Sequence, residues 1–367
     1  MKKPSSKFNA FIVLSIITIS LNQIEAQGCV AIRNGSATCS HEMNPGQGGE
    51  GWQFNTSYRY YKSFRHYRGK EEQVERVENG SDVRNYSNFL DMSLIRNFNN
   101  RWSLSVNLPF QSVRRTSLYE HDGKTRHETS AVGLGDVRFS VNAWLFKPSE
   151  KGNIQIGLGI KLPTGDYRYQ DFFYKNDTTE LLGAVDQSIQ PGDGGTGFST
   201  ELNAYYNITK SIGFYGNLYY LINPRDQNGT STTRGGTASA TAIKYRTATM
   251  SVPDQYMVRA GVNYSISKFT VSAGARLEGI PSEDLVGESN GFRRPGYVIA
   301  LEPSISYQLN RFNIFAAVPI ALERDRVQSD SDKRRTADTG TFTQGDAAFA
   351  DYSINLGFSF RFGNSGM

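Results

Sequence analysis

Charged side chains recur in the middle of segments whose alternate positions are apolar. Arg59, Asp91, Arg138, Lys161, Glu201, Arg259, Arg276, Glu278, Glu302, Asp351 and Arg361 all sit in this way. Charges of both signs in such places are tolerable only if they face water or one another. They could brace a wall as a salt-bridge network or filter solutes as rings of charge do in channels. The mixture of signs favours bracing. Gly157, Gly159, Gly261 and Gly274 share the same phase, where they would relieve crowding or admit a plug. Catalytic constellations are weak by comparison. Of the four histidines, His41, His121 and His127 fall in tails or loops, and His66 has no clear serine and carboxylate pairing. There is no nucleophile elbow, zinc-spaced histidine pair or phosphate loop, and Gly133-x-Gly135 lacks the third glycine of a dinucleotide site. The reading is therefore of a protein that is not an enzyme and uses no metal or cofactor.

The elements that hold these charges follow from composition and periodicity. The chain has 367 residues, 38% hydrophobic and 20% charged, with 22 Phe and 20 Tyr. Its mean hydropathy of −0.48 argues against a helical membrane protein, and its aromatic content argues against disorder. A β-rich soluble protein or a membrane barrel remains, since alternating strands hide their apolar half from any average. Residues 1–26 read as a secretory leader: Lys2, Lys3 and Lys7 precede an apolar run from Ala10 to Leu21, with a cleavage site after Ala26. The leader carries Glu25 as well, a net +2, so the overall +5 becomes 5 − 2 = +3 in the mature chain. That excess does not imply nucleic acid as a partner. Residues 27–50 precede the first strand as a periplasmic segment or small plug, and a Cys29–Cys39 disulfide is expected there in an oxidising compartment.

From residue 51 onward, apolar residues recur at every second position, more weakly from Trp52 to Phe64, from Tyr86 to Phe98 and from Val137 to Leu145. Trp102, Leu104, Val106, Leu108 and Phe110 set the pattern; Ile154 to Leu162, Tyr256 to Ile266 and Tyr352 to Phe362 repeat it. Such alternation puts every apolar side chain on one face of a strand. About twelve strands result, each near the roughly 9–11 residues that a tilted membrane-spanning strand requires. Short turns such as Asn99-Asn100, Ser267-Lys268 and Asn310-Arg311 alternate with long polar segments at 65–85, 113–131, 165–197, 223–254, 280–296 and 323–348. Aromatics flank the short turns, as an interfacial girdle would: Phe98 with Trp102, Trp144 with Phe146, Tyr205 with Tyr206, Tyr264 with Phe269, Tyr307 with Phe312. The fold class predicted for residues 51–367 is an all-β, antiparallel, up-and-down transmembrane barrel with short periplasmic turns and long extracellular loops. It would lie in the outer membrane of a Gram-negative bacterium.

Two stretches, GLGDVRFSVNAWLF at 133–146 and IGLGIKLPTGDY at 156–167, resemble the outer-membrane transporter family of the MetA pathway of phenol degradation, which is similar to fatty-acid-transporter-like barrels. The resemblance implies a barrel passing small hydrophobic or aromatic compounds. Independently of it, a turn centred between Ser149 and Glu150 makes cross-strand partners sum to about 299. Asp136 then lies opposite Pro163 and beside Thr164, and Asp136 and Asp166 would meet near the long-loop rim. The apolar phase shifts between Leu134 and Val137, which predicts a bulge at Gly135-Asp136. Shaping a strand end is the favoured role for these residues over direct solute contact.

The expected function is passive diffusion of small, hydrophobic or aromatic solutes through an outer-membrane barrel. Its partners would be outer-membrane lipid and a small-molecule solute. Two alternatives are a non-transporting surface or scaffold barrel whose loops bind a partner, and an acidic-sugar channel in which Arg59, Arg138, Arg259 and Arg276 read carboxylates from one side of the lumen.

Overall fold

The computed structural model describes residues 50–147, 149 and 151–363. The leader, the segment up to residue 49 and the Cys29–Cys39 pairing lie outside the described residues. In chain order the strands are β1 (Gly51–Arg68), β2 (Glu71–Glu72), β3 (Arg84–Asn97), β4 (Trp102–Ser117), β5 (His127–Leu134), β6 (Arg138–Trp144), β7 (Gly152–Lys161), β8 (Gln170–Asn176), β9 (Thr179–Ala184) and β10 (Gly197–Asn207). They continue as β11 (Ile212–Ile222), β12 (Gln227–Ser231), β13 (Thr249–Ser251), β14 (Gln255–Ile266), β15 (Phe269–Ile280), β16 (Gly296–Leu309), β17 (Phe312–Ala317), β18 (Ile320–Asp325), β19 (Ala347–Ala350) and β20 (Ile354–Phe362).

Antiparallel pairing runs β1-β3-β4-β6-β7-β10-β11-β14-β15-β16-β17-β20 and returns to β1. The result is a closed barrel of twelve staves. Strands β5 and β6 share one stave, β17 and β18 another, and β19 and β20 the last. Closure is what the bilayer demands. An open edge would leave N–H and C=O groups unpaired in hydrocarbon, at several kcal/mol each.

Each stave carries out the two-faced pattern. On β14, Val258, Val262, Tyr264 and Ile266 are exposed outward, while Met257 and Arg259 are buried inside. The β6–β7 partners, Arg138 with Lys161 through Trp144 with Gln155, keep the sum of 299. The bulge is also in place. Phe110 pairs with Leu134 but Asn107 pairs with Arg138, so β4 spends two residues against three, and Gly135 N donates to Pro109 O at 2.7 Å. Pro109 fits here because it has no N–H to contribute to a ladder.

Two details depart from the sequence expectation. The wall rises higher than alternation suggests: β1 reaches Arg68, β4 reaches Ser117 and β5 starts at His127. Above the lipid both faces meet water, so outward positions turn polar, as with Arg114 and Glu128 at 3.5 Å, while the backbone ladder continues. In the girdle, Phe98, Trp102, Phe146, Tyr206, Tyr264, Phe269 and Phe312 are exposed outward. Trp144 and Tyr205 instead belong to the inward phase and pack edge-to-face, 6.0 Å apart.

Inward glycines admit aromatic rings from neighbouring staves. A Cβ on Gly274 would sit 2.7 Å from Ala260 O and against the Tyr215 hydroxyl, whereas one on Gly216 finds its nearest neighbour at 3.8 Å. Gly274→Val is therefore expected to overpack the wall, at a cost of about 1–3 kcal/mol, and Gly216→Ala to be neutral. The fraction migrating as compact barrel in unheated SDS gels checks this; equal fractions for both variants would contradict it.

Candidate functional site

The charges singled out from the sequence converge inside the cylinder. Arg59, Asp91, Arg138, Lys161, Arg259, Arg276, Glu278, Glu302 and Asp351 are buried; Glu201 and Arg361 are half-buried. On one wall, Arg259 and Arg276 are direct cross-strand partners. Two like charges can stand opposite each other because Glu302 pairs with both and Glu278 accepts from Arg276 Nη2 at 2.7 Å. On another wall, Arg138 donates to Tyr219 Oη at 2.7 Å and to Asn107 Oδ1 at 3.1 Å. Asn203 and Asn217 donate to Glu201 at 3.1 and 3.4 Å. Asp91 lies in the field of Arg59 and Arg138, and the Arg59 guanidinium sits 5.0 Å from the Phe89 ring centre. Asp351 accepts from Arg324 at 2.6 Å and Arg65 at 3.0 Å, and Arg361 donates to Gln53 at 3.0 Å.

The four arginines needed for one-sided carboxylate reading are not gathered. Arg59 lies on the first stave, Arg138 on the fourth, and Arg259 and Arg276 on the eighth and ninth.

At the long-loop rim the two glycine-containing motifs form a latch. Asp136 accepts from Gly165 N at 3.0 Å through one oxygen and from Asp193 N at 3.1 Å through the other. Lys161 Nζ lies 3.6 Å from Asp136 and pairs directly with Asp193. Thr164 Oγ1 accepts from Val137 N at 2.9 Å and donates to Gly135 O at 3.0 Å. Asp166 does not join Asp136; it is exposed and accepts from Arg168 N at 2.9 Å. Its place opposite Asp136 is taken by Asp193, which the motif spacing alone does not reveal. The latch turns residues 185–191 into the mouth of the barrel. There Val185 and Ile189 pack with Tyr61, Phe89, Val113 and Ala131 of the inner wall, and Gln111 Nε2 donates to Ile189 O at 2.7 Å.

Beneath this segment lies a cavity with an unusual wall. Phe89, Pro109, Pro191, Pro253 and Ile280 contribute apolar surface, and Gln111, Asp136, Gln187, Ser188, Asp193, Gln255 and Arg294 contribute polar atoms. Above it, a vestibule of about 400 Å³ is lined by Arg76, Arg115, Arg234, Arg293, Arg294 and Arg326. Sequence reading passed over these six because they stand on segments far apart in the chain; only the Arg293-Arg294 doublet is a local hint. Arg115 pairs with Glu120 at 2.9 Å and Asp186 at 3.4 Å, and Arg294 forks onto Asp186 at 2.9 and 2.7 Å. Burial pushes Asp186 up, but Arg115 and Arg294 outweigh it and hold the carboxyl well below its ordinary range. Burial, reinforced by Arg294, keeps the Arg326 guanidinium below its usual value despite Asp332.

His66 is committed to structure: Nδ1 meets Asp346 Oδ2 at 2.8 Å and Nε2 accepts from Val83 N at 2.9 Å. His121 accepts from Tyr174 N at 3.2 Å and packs on Phe173. Among the described residues, no group of His, Cys, Asp and Glu is arranged to hold a metal ion.

The family described as "Putative MetA-pathway of phenol degradation" matches residues 81–326, two thirds of the chain. The chain belongs to this family. Among solved structures, the COG4313 outer membrane channel from Pseudomonas putida F1 is 11% identical over 86% of this chain and 96% of that one, with a TM-score of 0.58. The translocator domain of autotransporter NalP from Neisseria meningitidis is 11% identical over 86% and 90%, at 0.48, and the Pseudomonas putida toluene transporter TodX 10% identical over 86% and 91%, at 0.43. At such identities the likeness is one of fold. No curated protein matches in sequence. The protein is thus an outer-membrane β-barrel of the MetA-pathway family.

Two outcomes follow for the mouth of this family member. Lys161→Met leaves Asp136 and Asp193 without their shared cation, a loss of about 3–5 kcal/mol for a buried pair. Protease should then cut residues 185–192 at least tenfold faster while the barrel keeps its gel mobility; unchanged cleavage would contradict the latch. The second concerns pH. Burial pulls His121 down from 6.5 to about 4, so the released loop binds a proton before the docked one does. The docking of the β8–β9 hairpin is complete above pH 6.5 and weakens as pH falls towards 4. Hairpin proteolysis should rise over that window and lose its pH dependence in His121→Asn; a flat wild-type profile would contradict the assignment.

Proposed function

We propose that this protein passes small, hydrophobic or aromatic solutes across the outer membrane by passive diffusion. The observation that carries the reading is the cavity under residues 185–191, where a cluster of apolar side chains stands beside polar ones. Phe89, Pro109, Pro191, Pro253 and Ile280, gathered at the mouth, give an apolar solute a surface on which to leave water. Burial there stabilises the solute by roughly 25 cal/mol per Å² of apolar surface. Apolar faces set beside convergent polar groups are a usual setting for a small-molecule site. The membership in a family named for phenol degradation supports the same solute class. The charged pairs of the mid-lumen carry both signs and are already engaged with one another, so their role is to brace the wall rather than to select ions.

A second reading, a surface barrel whose loops bind a partner, draws on exposed apolar side chains in the extracellular loops: Ile243, Leu285, Val286 and Phe342. Uptake of labelled toluene at low concentration separates the two. Cells expressing the protein should take toluene up several-fold faster than cells without it, and Ile280→Asp should remove most of the gain. Equal uptake with the protein folded in the membrane would defeat transport and favour the loop-binding reading.

A further inference from the structure

The face of the barrel turned to lipid carries its own order. On β1, β3, β4 and β5 the outward residues fall into rows of direct cross-strand partners. Tyr58, Leu90, Phe110 and Leu134 form one row, in which every side chain is aromatic or aliphatic. Tyr60, Asn88, Ser112 and Val132 form the next, and Lys62, Tyr86, Arg114 and Ser130 the one above it. Lys62 stands ten residues along β1 from Trp52, at the short-turn end. At about 3.3 Å per residue, on strands tilted by about 40°, that is a climb of roughly 25 Å, the height of the apolar band on such barrels. The row of Lys62 therefore lies where hydrocarbon ends and lipid head groups begin.

Two cations meet on one ring in that row. Lys62 Nζ lies 4.4 Å from the centre of the Phe64 ring and 5.8 Å from that of Tyr86, and the Arg114 guanidinium reaches Tyr86 from β4 at 5.4 Å. The rings hold both charged heads at the wall instead of letting them spread into water. Two carboxylates stand on the same side. Glu128 is 3.5 Å from Arg114, an exposed pair of the kind that contributes little and that an incoming anion can displace. Asp171 accepts from Ser130 N at 2.7 Å. Among the described residues, Lys62 forms no ion pair. Beneath the cations, Tyr60, Asn88 and Ser112 offer hydroxyl and amide groups, and beneath those Leu90 and Phe110 are exposed.

We propose that this outer face of β1, β3 and β4 is a docking site for the phosphorylated glycolipid of the outer leaflet, the lipid A part of lipopolysaccharide. A phosphate lies over Tyr86 between Lys62 and Arg114, the sugar against Tyr60, Asn88 and Ser112, and the acyl chains along Leu90 and Phe110. Going from the rim into the membrane, the lipid presents phosphate, sugar and hydrocarbon, which is the order of the three rows. Cations gathered at a membrane surface are the usual means of holding anionic head groups. A glycerophospholipid brings the phosphate and the chains without the sugar, and inorganic phosphate brings the charge alone. The row stands at the long-loop end of an outer-membrane barrel, the side on which that leaflet lies. The inference is independent of what passes through the lumen.

Native mass spectrometry of the folded protein in detergent tests this with diphosphorylated lipid A, its dephosphorylated form, phosphatidylglycerol and inorganic phosphate. Lipid A is expected to bind at least tenfold more tightly than phosphatidylglycerol or its own dephosphorylated form, and an equal concentration of inorganic phosphate should leave it bound. Lys62→Gln combined with Arg114→Gln should lower the affinity at least tenfold, whereas Lys268→Gln at a short turn should leave it unchanged. Gel mobility before heating verifies that each variant is a closed barrel; should the double variant fail that check, Lys62→Gln alone replaces it, with an expected loss of at least threefold. Equal binding of lipid A and phosphatidylglycerol would overturn the proposal, as would equal binding of the dephosphorylated form. Displacement by inorganic phosphate, or undiminished binding in the charge variants, would overturn it too.

Discussion

Every backbone N–H and C=O that enters hydrocarbon must find a partner within the protein, and this single constraint organises the molecule. A strand cannot satisfy it alone, so twelve staves close on one another, β1 meeting β20 with Trp52 opposite Phe362. Closure then divides each stave into a face that lipid covers and a face that must be filled or wetted. The apolar half of the composition goes outward, which is why an average hydropathy below zero coexists with a membrane protein.

The inward half inherits a packing problem and an electrostatic one. Packing is met by pairing glycines with rings, as where Tyr215 lies over Gly261 and Gly274 and Phe315 over Gly357. The electrostatic problem is met by distributing both signs so that buried guanidiniums find acceptors across the lumen, as Glu302 on β16 serves Arg276 one stave away and Arg259 two staves away. Such pairs are weak contributors to stability compared with well-packed apolar residues. Their value here is that they keep a polar face inward and make the register costly to slip by one residue, since a slip would turn every charge to lipid. Function concentrates where this regularity stops. The bulge at Gly135-Asp136 breaks the ladder and frees Asp136 to hold the 185–193 segment, which roofs the cavity lined by Phe89, Pro109 and Ile280.

Much of the barrel was legible in the sequence because period-two alternation is a local signal that lipid enforces without exception. The twelve staves, the inward placement of the mid-strand charges, the 299 register and the bulge all follow from it. What was not legible lies where lipid no longer dictates the pattern. Above the membrane β1, β4 and β5 continue as ladders with polar residues on both faces, so strand and loop look alike. Trp144 and Tyr205 stand beside a turn, yet their inward phase outranks their position. Pairs such as Arg115 with Glu120 and Arg326 with Asp332 are local, but Asp193 reaches Lys161 from 32 positions away and Arg294 reaches Asp186 from 108, so the six vestibule arginines are brought to one place only by loop folding. No spacing rule reaches across such intervals.

The central claim is the two-faced closed wall, and spin labels placed singly along β14 from residue 256 to 266 test it most directly. Oxygen dissolved in lipid and a water-soluble nickel complex report which medium each label meets. The account expects oxygen contact to peak at every second position, at 258, 260, 262 and 264, and to fall at 259, 261 and 263. A profile without that period, or one in which the nickel complex reaches both sets equally, would contradict it.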